Sequence, residues 1–227
     1  MDRINAIYRK YVRPVYKKYV WGYFKEREKK RASAALKNKD FTIISSNCAG
    51  GVLYHDVDAR FDSPTINMLI DKKEFCRFAA NLPYYLDQEL RFYKKEDCNS
   101  PCAYLGEGDQ TITIEFTHYK TEEEARKKWE ERKTRIHWDN LYIMTCDSDT
   151  TTLEDFKLLD TVKCKRKVVF LSKENSQIKD SFVLHGLRKE PTAENMQIIR
   201  NRITGLRYWE TEFDYVEWLN GGSKLRR

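Results

Sequence analysis

A chain of 227 residues, 41% of them apolar, is long enough to bury one full core. Six cysteines without a regular framework, no apolar leader and no long apolar run exclude a disulfide scaffold and a spanning helix, and they point to a reducing cytoplasm. The net charge of +7 is uneven: residues 1–39 hold 13 Lys or Arg against 3 acidic residues, so the remainder is slightly acidic and nucleic acid is not expected as a partner.

Two regions follow from that imbalance, an arm over residues 1–39 and a core domain over residues 40–227. In the arm, Ile4, Ile7, Tyr8, Tyr11, Val12, Val15, Tyr16, Tyr19, Val20, Tyr23 and Phe24 recur at three- and four-residue steps, the stripe of an amphipathic helix. Pro14 predicts a kink or a break into two helices. Tyrosines, Trp21 and flanking lysines suit the interface of an anionic membrane, at the inner face if the protein is cytoplasmic, and suit docking on protein nearly as well.

The core begins with the apolar run Phe41–Ile44, which ends abruptly at Ser45-Ser46-Asn47-Cys48-Ala49-Gly50-Gly51. Ser63-Pro64-Thr65-Ile66-Asn67 is polar punctuation, and a helix is expected from Asp71 to Glu89, perturbed at Pro83. Thr111 to His118 alternates as a strand, and Thr121 with Glu124 has capping-box spacing for a charged helix to about Arg135. Leu141–Met144, Lys167–Leu171 and Ser181–Leu184 read as strands; helices are expected at Thr151–Leu159, Thr192–Arg202 and Asp214–Leu219. Alternating strands and helices predict an α/β fold with a mostly parallel sheet and helices on both faces, a three-layer Rossmann-like core.

Dinucleotide, P-loop and zinc-protease motifs are absent from the sequence. Cys98 and Cys102 have the spacing of a metal knuckle, but no second pair accompanies them, so no metal is expected. Chemistry centres instead on Cys48, a thiol at a predicted strand end, where ligands bind in open α/β sheets. Cys48 fits a nucleophile or a packed thiol equally well. Asn47, Gly50 and Gly51 supply amides for an oxyanion, and His118, at the end of another predicted strand, is the candidate base.

The run Phe41–Gly51, then Ser63-Pro64-Thr65-Ile66, then His118-Tyr119-Lys120 with Trp129, and finally Arg135-Ile136-His137-Trp138-Asp139-Asn140-Leu141, resembles the domain of unknown function 1919 family over about residues 40–190. The resemblance implies a three-layer α/β core and a role in bacterial exopolysaccharide or capsule synthesis, with an acetyltransferase label common among its members. The strand-Asn47-Cys48 pattern also resembles a capsule acetyltransferase group that binds coenzyme A. Acetyl-CoA is then the expected cofactor and a saccharide precursor the partner, with Ser63, Thr65, Asp139 and Asn140 as further binding residues and homo-oligomerisation left open. A glycosyltransferase, motivated by Asp147-Ser148-Asp149, and a membrane-recruited adaptor without catalysis are the competing expectations.

Overall fold

The computed structural model describes residues 10–11, 13–96 and 98–227. Ile4, Ile7, Tyr8 and Val12 of the expected stripe lie outside the described residues. From Arg13 the chain is helical: an α-turn (Arg13–Tyr16) with Pro14 among its first residues, a π-helical segment (Lys17–Trp21), and helix α1 (Gly22–Ala35). Helix α1 buries Ala32 and the carboxylate of Glu28, which accepts the Tyr215 hydroxyl proton at 2.8 Å. Tyr11, Val15, Tyr19 and Tyr23, four residues apart, stay exposed. Among the described residues no helix is long and apolar enough to cross a membrane.

The core is α/β, as the alternation of patterns predicts. Its central sheet is wholly parallel, in the order β1 (Thr42–Ser45), β6 (Leu141–Cys146), β7 (Arg166–Leu171), β8 (Ser181–Val183). Every residue of β1 and β6 is buried, which explains their continuous apolar runs. Alternate side chains enter two cores: Ile44, Ile143 and Val169 face one side, and Ile43, Tyr142, Met144 and Phe170 the other. The second core is closed by α1, by α2 (Ala49–Asp56), and by C-terminal helices α7 (Tyr208–Glu212) and α8 (Tyr215–Leu219).

The first core contains what the sequence reading did not anticipate, a four-stranded antiparallel sheet in the order β2 (Leu69–Ile70), β5 (Ile112–Glu115), β4 (Cys102–Leu105), β3 (Arg91–Tyr93). Helices α3 (Lys72–Ala80), α4 (Leu82–Asp87), α5 (Glu122–Lys133) and α6 (Leu153–Leu158) complete that layer, with Phe78 and Trp129 packed at 6.5 Å between ring centres. The helix expected over Asp71–Glu89 is two helices broken at Asn81, with Pro83 in the first turn of the second, where its missing N–H costs nothing. The Thr192–Arg202 segment is corrected to one 3₁₀ turn, Glu194–Gln197.

Candidate functional site

At the carboxyl edge of the parallel sheet, β1 hands the chain directly to α2 through Ser46-Asn47-Cys48. Asn47 is the hinge pin: its Oδ1 accepts the Ala49 N–H at 2.9 Å, satisfying a first-turn donor, and its amide reaches Cys146 Sγ at 3.9 Å. Gly50 lets the helix lie against the strand, since a Cβ there would meet Ser45 Cβ at 3.0 Å, and its N–H already points to Ser45 Oγ at 3.4 Å. Ser63 and Thr65 are buried, and they cover the open edge of β1. The Ser45 N–H donates to Thr65 Oγ1 at 3.0 Å, the two hydroxyls lie 3.1 Å apart, and Thr42 Oγ1 bonds the Asp62 carbonyl. Gly50, Ser63 and Thr65 therefore build the turn, whereas Gly51 is a buried part of a cavity wall, where a Cβ would meet Asn67 Oδ1 at 3.3 Å.

Cys48 is half-buried, with Sγ 3.6 Å from Thr117 Oγ1, which in turn donates to the Asn67 carbonyl at 3.2 Å. His118 follows Thr117 but is exposed, and among the described residues no hydrogen bond joins its ring to Cys48. The strand before it, β5, belongs to the antiparallel sheet rather than to the sheet whose edge carries Cys48. Asp139 and Asn140 precede β6, and the register Thr42↔Leu141 puts them at the amino edge, the opposite end from Cys48; Asn140 there bonds the Asp40 carbonyl. His137, at that same end, pairs with buried Asp62 at 3.0 Å. Burial acts to raise the Asp62 pKa, but hydrogen bonds from Arg60 and His137 outweigh it and the net shift is downward.

Helical spacing from Cys48 through Gly51, Val52 and His55 leads along one face of α2 into a cavity of about 520 Å³ that sequence reasoning missed. Its other walls come from Trp21 and Lys25 of the N-terminal helices and from Arg200 and Arg207 of the C-terminal segment. Gln197 ties this cavity to the turn, since its amide reaches Asn47 Oδ1 at 3.5 Å and its carbonyl accepts from Arg207 Nε at 3.2 Å. Gly205 has φ +71°, and a Cβ there would overlap the Trp21 indole, so only glycine lets the two segments meet.

Three cations share this space, with unequal compensation. Lys25 Nζ lies 2.7 Å from Asp56 and 2.5 Å from Glu210, both carboxylates fully buried, and Arg207 adds a contact to Glu210 at 3.2 Å. Burial raises the Asp56 pKa beyond what Lys25 recovers, while for Glu210 burial is outweighed by Lys25 and Arg207 together and the pKa falls. Arg200 is different. It is half-buried and bonds only the Gly205 carbonyl, at 3.0 Å; among the described residues it has no carboxylate partner. Burial first, and the Arg207 charge second, press its pKa downward, with the Glu210 charge offsetting them only in part. Residues from positions 21, 51 and 200 meet here only through the fold, so no local motif announces them.

The Asp147-Ser148-Asp149 triplet does not make an open carboxylate pair: Asp147 accepts the Ala193 N–H at 2.6 Å, with its pKa raised by burial, and Asp149 is exposed. Cys146 is wholly buried, its thiol pushed up to about 12 by desolvation.

Residues 20–220 match the family described as "Domain of unknown function (DUF1919)". The chain is also 34% identical over 185 residues to a Haemophilus influenzae protein named only as an uncharacterized protein, an alignment covering 82% of this chain and 86% of the relative.

Proposed function

The chain belongs to the domain of unknown function 1919 family, and from that membership and the site's chemistry we propose an acyltransferase of bacterial exopolysaccharide or capsule assembly, loaded from acetyl coenzyme A. The observation that carries this reading is the cation-lined cavity along α2, walled by Gly51, Val52 and His55 at helical spacing from Cys48, which itself stands outside the lining, with Arg200 lacking a carboxylate partner among the described residues. A coenzyme A donor brings phosphates to compensate Arg200 and a flat base for Trp21. Cys48 then attacks the acetyl carbonyl: a carbon–sulfur bond forms to Sγ, the bond to coenzyme A breaks, and the thiol proton leaves with the coenzyme A sulfur. A saccharide hydroxyl takes the acetyl group in the second half, and its proton returns to Cys48. No role in this scheme falls to His118, Asp139 or Asn140.

Around this reaction the exposed row Tyr11, Tyr19 and Tyr23, flanked by Lys10, Lys17 and Lys18, would hold the protein against an anionic membrane surface, where a lipid-linked saccharide is met.

The test is intact-mass and peptide analysis of the full chain after incubation with acetyl coenzyme A. The expected result is one acetyl group on Cys48, lost in Cys48→Ala and slowed at least tenfold in Arg200→Gln. Absence of both an adduct and released coenzyme A at saturating donor would overturn the proposal, as would undiminished labelling in Cys48→Ala. Thermal stabilisation by a nucleotide sugar with a divalent ion, but not by coenzyme A, would replace acyl transfer with glycosyl transfer.

A further inference from the structure

Away from the cavity, the antiparallel sheet gathers two thiols and a carboxylate. Cys102 opens β4, Glu115 closes β5, and the register Cys102↔Glu115 sets them directly opposite each other, so both side chains rise from one face. Cys98, in the β3–β4 connection, brings its Sγ to 3.8 Å from Cys102 Sγ. Both thiols donate to the Ser100 carbonyl at 3.6 Å, which winds the connection back so that the two sulfurs face one point. All three ligand atoms lie within 4.8 Å of one another.

These separations suit a common ion. Two thiolates bound to zinc at about 2.3 Å with tetrahedral angles stand about 3.8 Å apart, which is the separation found between Cys98 and Cys102. A disulfide would need about 2.05 Å. A carboxylate oxygen at about 2.0 Å from the ion would sit about 3.5 Å from each sulfur, so Glu115 closes the site by a side-chain movement of roughly an ångström from its present reach. It is currently held by Lys95 Nζ at 3.5 Å, and that lysine is half exposed, free to turn into water when a divalent cation arrives. The spacing of Cys98 and Cys102 alone gives a half-site; strand pairing, invisible in the sequence, supplies the third ligand.

We propose that Cys98, Cys102 and Glu115 form a zinc site, with water in the fourth position. The ion clamps the β3–β4 connection to the end of β5. From there the Ser100 hydroxyl bonds the Thr117 carbonyl at 3.4 Å and the Phe116 N–H bonds the Pro101 carbonyl at 2.9 Å. Thr117 is the residue that touches Cys48, so the clamp steadies one wall of the thiol's surroundings.

The full chain, reduced and freed of metal, is titrated with Co²⁺ and then Zn²⁺. The expected result is one equivalent of Co²⁺ giving thiolate-to-metal charge transfer in the near ultraviolet and tetrahedral d–d bands, displaced by Zn²⁺. Cys98→Ser, in a connection outside any strand, removes most of the charge-transfer band; Glu115→Gln weakens binding at least tenfold; Lys95→Met, which removes the competing cation, tightens it. A folded protein that shows no charge transfer refutes the site, as does a band that survives Cys98→Ser. Formation of a Cys98–Cys102 disulfide under air with no metal uptake after reduction also refutes it. Circular dichroism of each variant separates loss of the ligand from loss of the fold.

Discussion

Among the described residues of the N-terminal helices, Lys25 alone pairs with two buried carboxylates at once, and Lys25→Met isolates its contribution. Removing one partner of a buried ion pair costs about 3–5 kcal/mol, because the remaining charge stays desolvated. Here two features favour the lower end: the Lys25 side chain is 31% exposed, and Glu210 keeps Arg207 at 3.2 Å. A loss of about 3 kcal/mol at neutral pH is expected, or roughly 6–12 °C in Tm for a chain of this size. The pH dependence has a definite sign. Without Lys25, the folded-state pKa values of Asp56 and Glu210 both rise above their unfolded values near 4. The folded variant then prefers protonated carboxyls, so the stability they allow is present below about pH 4 and is lost as pH rises through the raised values. The deficit relative to the native chain therefore grows from acid toward neutral pH. Urea unfolding followed by tryptophan fluorescence at about pH 4.5 and 7.5 measures it. A deficit under about 1 kcal/mol at neutral pH, or one equal at both pH values, would refute the assignment of Lys25 as the compensating charge.

Gly205→Ala places a Cβ at a left-handed backbone position and into the Trp21 ring; a loss above about 2 kcal/mol and a shifted tryptophan emission are expected, and a urea midpoint matching the native chain would show that the contact is not formed. For the arm, replacing Tyr19 and Tyr23 with Ser should lower flotation with phosphatidylglycerol vesicles several-fold while leaving neutral vesicles unaffected. Equal flotation of the two proteins would remove the tyrosine row as the membrane contact.

Legibility in the sequence followed burial on two faces. β1, β6 and β7 run apolar because the parallel sheet is covered on both sides, and such runs are hard to miss. Helix α5 was equally plain from Thr121, whose hydroxyl does accept the Glu124 N–H at 3.1 Å, although the Glu124 carboxylate returns to Lys120 rather than to Thr121. The helix expected from Thr151 is capped by Thr152, because Thr151 Oγ1 already accepts the Ser148 N–H at 3.0 Å while donating to the Ser148 carbonyl. β3 and β4 were missed because their three- and four-residue strands have mixed exposure and carry too few alternations to register. The same gap bears on His118, the candidate base: β5 before it belongs to the antiparallel sheet, although its neighbour Thr117 reaches Cys48 at 3.6 Å. At the site, Cys48 and Gly51 were visible because a strand ends beside them, whereas Lys25, Arg200 and Arg207 resembled any solvated cation until the fold brought them together.

The pairing of β1 with β6 bears on the order in which the chain can fold. Thr42 finds its partner Leu141 about a hundred positions later, and away from β6 its strand meets the loop around Asp62–Ile70 and the Tyr54 hydroxyl rather than another strand. Closing a loop of that length costs about 4 kcal/mol of chain entropy before any hydrogen bond repays it. The material inside the loop is local by comparison, with β3, β4 and β5 joined to sequence neighbours and α3 to α4. If that insert condenses first it shortens the effective loop, and the parallel sheet then nucleates on a partly built wall. Until it does, Ile43 and Ile44 are an unpaired apolar strand end, and the speed of the antiparallel insert governs how long they remain available to another molecule.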